Sequence, residues 1–160
     1  MKGKSNNKKF YPYARIKAMN EIMEFIRSPS WRPDNVDQDL LKMLGIASSK
    51  EREVIKALRF FGLIDDGGKP TGKFDTLKAD YHHEISGIIK ETYAELFSVL
   101  PPELIDQERA INFFMSSSGT SRDTAEYQGM FFGWSCREAG IELPKLPKGF
   151  KRARFNKGKK

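Results

Sequence analysis

Ser48-Ser49-Lys50-Glu51-Arg52-Glu53-Val54-Ile55-Lys56-Ala57-Leu58-Arg59-Phe60-Phe61-Gly62-Leu63-Ile64-Asp65-Asp66-Gly67-Gly68 is the stretch whose reading decides the fold. Ser48 or Ser49 can accept a hydrogen bond from an unpaired amide of a first helical turn. With Ser48 as the cap, Glu51 stands where a capping box requires it. Gly62 supplies the left-handed residue that ends the helix. Leu63-Ile64 is too short for another helix, and Asp66-Gly67-Gly68 is a turn sequence. Helix, glycine stop, short strand and turn, in that order, read as the second half of a winged helix-turn-helix.

The helix has two faces. At about 100° per residue, Val54, Ile55, Leu58 and Phe61 fall on one side, and Arg52, Lys56 and Arg59 fall together on the other. A cationic outer stripe suits a recognition helix, because phosphates attract it and Arg can bond a guanine edge through two donors. In that reading Arg52, Lys56 and Arg59 enter the major groove. Ser49 and Lys50 lie near a phosphate, and Lys69 contacts the backbone from the wing. The plainer alternative is a solvated helix face that happens to be basic.

Outward from this segment, Ile16, Met19, Ile22, Met23 and Ile26 have helical spacing within 14–27. Ser28-Pro29-Ser30-Trp31-Arg32-Pro33 reads as a loop anchored by Trp31, and Asp37 to Leu44 as a short helix. Residues 10–76 are therefore expected to form a winged-helix unit, with the return strand of a two-stranded wing near Lys69–Phe74 and with Phe10-Tyr11-Pro12-Tyr13 as an aromatic lead-in. Residues 77–144 are expected to form a second tri-helical unit: a helix from Tyr81 to Phe97, a shorter one from Asp106 to Met115, and a Ser121-capped helix stopped by Gly140. Ile141-Glu142-Leu143 is a candidate short strand. The last helix is apolar on two sides, which reads as internal. Gly129 and Gly133 in it offer the alternative of a homodimer contact. The expected fold class is mainly α, with basic, disordered tails at 1–9 and 145–160.

Charge is distributed unevenly. The net charge is +7, from 28 Lys and Arg against 21 Asp and Glu. The two tails hold twelve of those cations and no acid, so residues 10–144 carry sixteen cations against 21 acids. The body is mildly acidic, and the excess positive charge lies in the chain ends. Basic tails, including Lys151, Arg152 and Arg154, bind polyanions without sequence preference and with strong salt dependence. The 39% hydrophobic and 12% aromatic content suffices for a core. No long apolar run suggests a membrane span or a signal peptide. A single cysteine, Cys136, cannot form an internal disulfide, so a reducing, cytoplasmic setting is expected.

Tyr11-Pro12-Tyr13, Leu44-Gly45, Ser48-Ser49, Phe61-Gly62-Leu63-Ile64-Asp65, Pro70-Thr71 and Tyr93-Ala94-Glu95-Leu96-Phe97, in this order and spacing, resemble the domain of unknown function 5343 family of bacteria and phages. The resemblance covers roughly residues 11–140. It implies a winged-helix-like N-terminal half followed by a helical half, and it supplies no activity and no catalytic residues. The chain departs from the pattern between Gly72 and His83, where Phe74 replaces a common Tyr.

Catalytic and metal-binding patterns are missing from the sequence. His82-His83-Glu84 places adjacent residues about 100° apart on a helix, which is no two-His clamp. Asp65-Asp66-Gly67 lacks the later ligands of a calcium loop, and Lys69-Pro70-Thr71 lacks the order of a phosphate-binding loop. Cys136 carries no nucleophile signature. The expectation is a non-enzymatic, cofactor-free, DNA-binding protein of regulatory or accessory kind, with duplex DNA as partner. Two other readings stand beside it. One is an adaptor for a protein, an acidic one where the tails are engaged, with Phe60 and the Trp31 loop as contacts. The other is an RNA binder that uses the tails, with Phe150 and Phe155 for stacking.

Overall fold

The computed structural model describes residues 8–146 of the 160. Within them the chain forms eight α-helices: α1 (Ile16–Arg27), α2 (Gln38–Leu44), α3 (Glu51–Phe60), α4 (Gly72–Ala79), α5 (Tyr81–Thr92), α6 (Ala94–Val99), α7 (Gln107–Ser118) and α8 (Arg122–Ala139). A single 3-10 turn, Pro102–Leu104, joins α6 to α7.

Local chemistry accounts for most of the boundaries. Asp37 caps α2 by accepting from the Leu40 amide, Asp106 caps α7 from Arg109, and Ser121 caps α8 from Thr124. At the end of α3, Gly62 has a φ of +77°. The Leu63 amide bonds back to the Leu58 carbonyl at 3.0 Å and the Gly62 amide to Arg59 at 2.9 Å, the paired bonds of a Schellman stop. The expected apolar stripe of α3 is buried at Val54, Ile55, Leu58 and Phe61.

The two-stranded wing is not formed. Ile64 and Pro70 make one isolated antiparallel bridge, flanked by Asp65 N–H to Lys69 O and Thr71 N–H to Leu63 O, each 2.9 Å. Pairing stops there for two reasons. Pro70 has no amide hydrogen to extend a ladder. Thr71 is already the N-cap of α4, its Oγ1 accepting from the Lys73 amide at 3.3 Å. The expected return strand is thus a loop residue pair followed by a helical turn, and among the described residues no strand is present. The loop is also tied down. Asp65 Oδ1 accepts from the Gly67 and Lys69 amides at 2.9 Å each, and the Gly68 carbonyl accepts from the Val36 amide at 2.8 Å.

The second half departs from three helices as well. The segment expected as one helix from Tyr81 to Phe97 is divided at Tyr93 into α5 and α6, and Ile141 to Leu143 is not a strand. One continuous hydrophobic cluster runs through both halves of the chain. α8 packs on α5 and α7, and it also touches the first half. Phe131 stacks on Phe61 at 5.8 Å, and Trp134 Nε1 donates to Asn20 Oδ1 at 2.8 Å. Tyr11 ties the lead-in to both halves: it stacks on Tyr93 at 5.6 Å and meets Phe60 and Phe114 edge-on. Its carbonyl accepts from Gln128 Nε2 at 3.0 Å.

Candidate nucleic-acid interface

The site is built on α3 and the turn that precedes it. Leaving α2, the chain passes through Gly45, Ala47 and Ser49, all at positive φ, before α3 begins. Neither serine caps the helix. Lys50 occupies the cap position without a side-chain capping bond. The buried Glu51 instead reaches back, its Oε2 accepting from the Ser49 amide at 3.2 Å. This is not a capping box, because Glu51 is the first helical residue and bonds the amide of the residue before the cap.

Arg52, Lys56 and Arg59 share the face opposite the buried stripe, and each is held differently. Arg52 is exposed. Lys56 is half-buried, with its Nζ 5.8 Å from the centre of the Phe10 ring. Arg59 is exposed and leans over the loop: its Nη2 donates to the Asp66 carbonyl at 3.4 Å, and its Nε lies 4.0 Å from the Asp66 carboxylate. Ser49, Lys50 and Lys69 are all exposed, Lys69 on the pinned 65–69 loop beside the end of α3. Lys151, Arg152 and Arg154, with Phe150 and Phe155, lie outside the described residues.

The aromatic residues of the adaptor reading are engaged within the fold. Phe60 is half-buried among Phe10, Tyr11 and Tyr93, and Trp31 stacks on Phe74 at 6.0 Å. Cys136 is fully buried, and burial pushes its thiol well above the ordinary range, so it stays protonated at neutral pH. His82 and His83 are exposed on α5. Among the described residues, no group of three or more His, Cys, Asp or Glu is placed to hold a metal ion, and no helix is long and apolar enough to cross a membrane.

One feature of this end of the molecule is not legible in the sequence. Lys50 lines a cleft of about 600 Å³ together with Tyr13, Arg15, Glu53, Tyr127 and Met130. These residues come from three separated segments, so no local motif announces them.

Among the described residues the chain is therefore all-helical, and α3 turns a cationic face outward. The chain belongs to the family described as "Family of unknown function (DUF5343)", whose model matches residues 12–140. Neither a curated protein nor a solved structure matches it.

Proposed function

We propose that the protein binds duplex DNA, presenting the outer face of α3 to the major groove without the help of a wing. The observation that carries this reading is the convergence of Arg52, Lys56 and Arg59 on one face of α3, bracketed by exposed Lys50 at its start and Lys69 beside its end. Arg52 and Arg59 have the fork of donors that reads a guanine edge, and the flanking lysines act as point charges on phosphates. The described body carries more acid than base, so bulk attraction comes from the tail cations, which hold twelve of the 28. Attraction and readout are then separate: the tails bring the duplex in, and α3 sets register and preference.

The test is binding of the full chain to duplex DNA across a salt series, beside an Arg52→Ala/Lys56→Ala/Arg59→Ala variant. Weaker binding with lost sequence preference is expected. Each phosphate contact removed flattens the dependence of log K on log salt by about 0.9. Unchanged affinity and preference in the variant would sink the groove-reading role of α3.

A further inference from the structure

The end of α6 leaves apolar surface uncovered. Val99, the last residue of the helix, is 64% exposed, and Leu104, which closes the 3-10 turn, is 42% exposed. In the same part of the chain, Lys90, Ala94, Phe97, Ser98 and Pro102 join Ile141 to line an open groove of about 420 Å³ with an almost wholly apolar wall. Ile141 also lines a second cavity, of about 410 Å³, together with Gly133, Leu143 and Leu146. The described residues end in that cavity. The Leu146 amide donates to the Leu143 carbonyl at 3.0 Å, and the Leu146 side chain is buried over Gly133. The chain beyond Leu146 therefore starts one cavity away from the groove.

What covers the groove is limited by its size. Six residues form the wall, whereas a stable interface between two proteins engages about 20–30 a side. One apolar side chain fills such a groove, and that is too little to hold a free partner. It is enough for a segment already tethered nearby, because a short tether supplies a millimolar effective concentration. The chain beyond Leu146 carries such a side chain. Phe150 is four residues on, a reach of up to about 14 Å. Charge favours the same occupant. Glu103 and Glu142, both exposed, follow the wall residues Pro102 and Ile141, and residues 145–160 hold eight cations and no acid. Lys90, the cation of the wall, is exposed, so its stem can cover a ring while its charge stays in water.

We propose that the groove is the docking site of the chain's own C-terminal segment, with Phe150 as its anchor. The ring enters between Ala94, Phe97 and Ile141, where it leaves water. Lys148, Lys151 and Arg152 then lie along the acidic body. The contact is made within one chain.

Limited trypsin digestion of the full chain, followed by mass spectrometry, tests this. Cleavage depends on the population of the undocked segment, so cuts after Lys151 and Arg152 are expected to be slower than the cut after Lys157. Phe150→Ala speeds the first two several-fold and leaves the third unchanged. Ala94→Lys does the same without touching the cleavage sites, because it fills the groove and repels the segment. Ala94 is exposed, and circular dichroism confirms that this variant folds. Phe155→Ala leaves the protection in place. Equal rates after Lys151 and Lys157 in the unaltered chain overturn the inference, as does an Ala94→Lys variant with the rates of the unaltered chain. Acceleration by Phe155→Ala in place of Phe150→Ala overturns the choice of anchor. Protection that falls on dilution assigns the groove to a second copy and overturns docking within one chain. No nucleic acid enters the experiment, so its outcome is independent of the DNA-binding proposal.

Discussion

Arg59 on α3 and Asp66 in the following loop are joined by a 3.4 Å hydrogen bond to the Asp66 carbonyl, with the two charged groups 4.0 Å apart. The pair is exposed, so it adds little to stability. It does hold one of the three outward cations toward the protein and sets an acid beside the proposed contact stripe. Asp66→Ala is expected to leave the melting temperature within a degree or two and to tighten duplex DNA binding a few-fold at low salt, through the lost repulsion between carboxylate and phosphate. The check is anisotropy at two salt concentrations. Weaker binding by Asp66→Ala would mean that the pair orients Arg59 rather than restraining it.

Gly68 is the residue that replaces a wing with a pinned loop. Its φ is +90°, and a Cβ there would stand 3.0 Å from the Val36 carbonyl oxygen, which is backbone and cannot swing away. Gly68→Ala is expected to cost about 1–3 kcal/mol, from the left-handed strain and the displaced Val36 contact. Gly72→Ala, at a helical position with open space around its Cβ, serves as the control and should be neutral or slightly stabilising. Urea unfolding of both variants gives the comparison.

Lys78 on α4 closes the end of α1. Its Nζ donates to the carbonyls of Ile26 at 2.5 Å, Ser28 at 2.7 Å and Trp31 at 2.7 Å. These carbonyls lie at and just beyond the α1 terminus, where a cation also meets the negative end of the helix. Lys78→Met keeps the stem and deletes the donors, and it is expected to destabilise by about 1–3 kcal/mol. The neighbouring Arg32–Asp75 pair is exposed, so Asp75→Asn should cost far less in the same melt. Equal effects would assign the stability of this corner to the ion pair instead.

Alkaline pH should unfold the protein from within. Burial pushes the Tyr11 hydroxyl up to about 12, helped by the Glu95 charge, and raises Tyr81 and Tyr93 as well. A group raised above its unfolded value stabilises the fold fully below that value and ceases to as pH climbs through the folded one. For Tyr11 that window runs from 10.0 to about 12. Tyrosinate absorbance followed beside circular dichroism should register these three late, together with loss of helix. Smooth ionisation of all five tyrosines with helix intact would contradict the buried cluster.

The parts of this protein that were legible in its sequence are those governed by neighbours in the chain. Apolar spacing located α1, α3 and α8, and the Gly62, Gly140 and Ser121 signals act at those positions because capping is a local bond. The outward direction of Arg52, Lys56 and Arg59 followed from helical angle alone. The wing did not. The same Asp-Gly-Gly turn suits a hairpin or a closed loop, and the choice fell to Thr71, which caps α4, and to Val36, which holds Gly68 from a distance in sequence. The Ser48 or Ser49 cap failed because Glu51 was drawn into the body and took the Ser49 amide with it.

Sequence by itself thus determined the helical class, the ends of most helices, the cationic face of α3 and the segregation of charge into the tails, since each depends on composition or on residues a turn apart. Only the tertiary structure decided the pinned loop in place of a wing, the burial of Phe60 against Tyr11 and Tyr93, and the cleft shared by Arg15, Lys50 and Glu53. Those depend on which distant surfaces exclude water together, and no local pattern of residues encodes that.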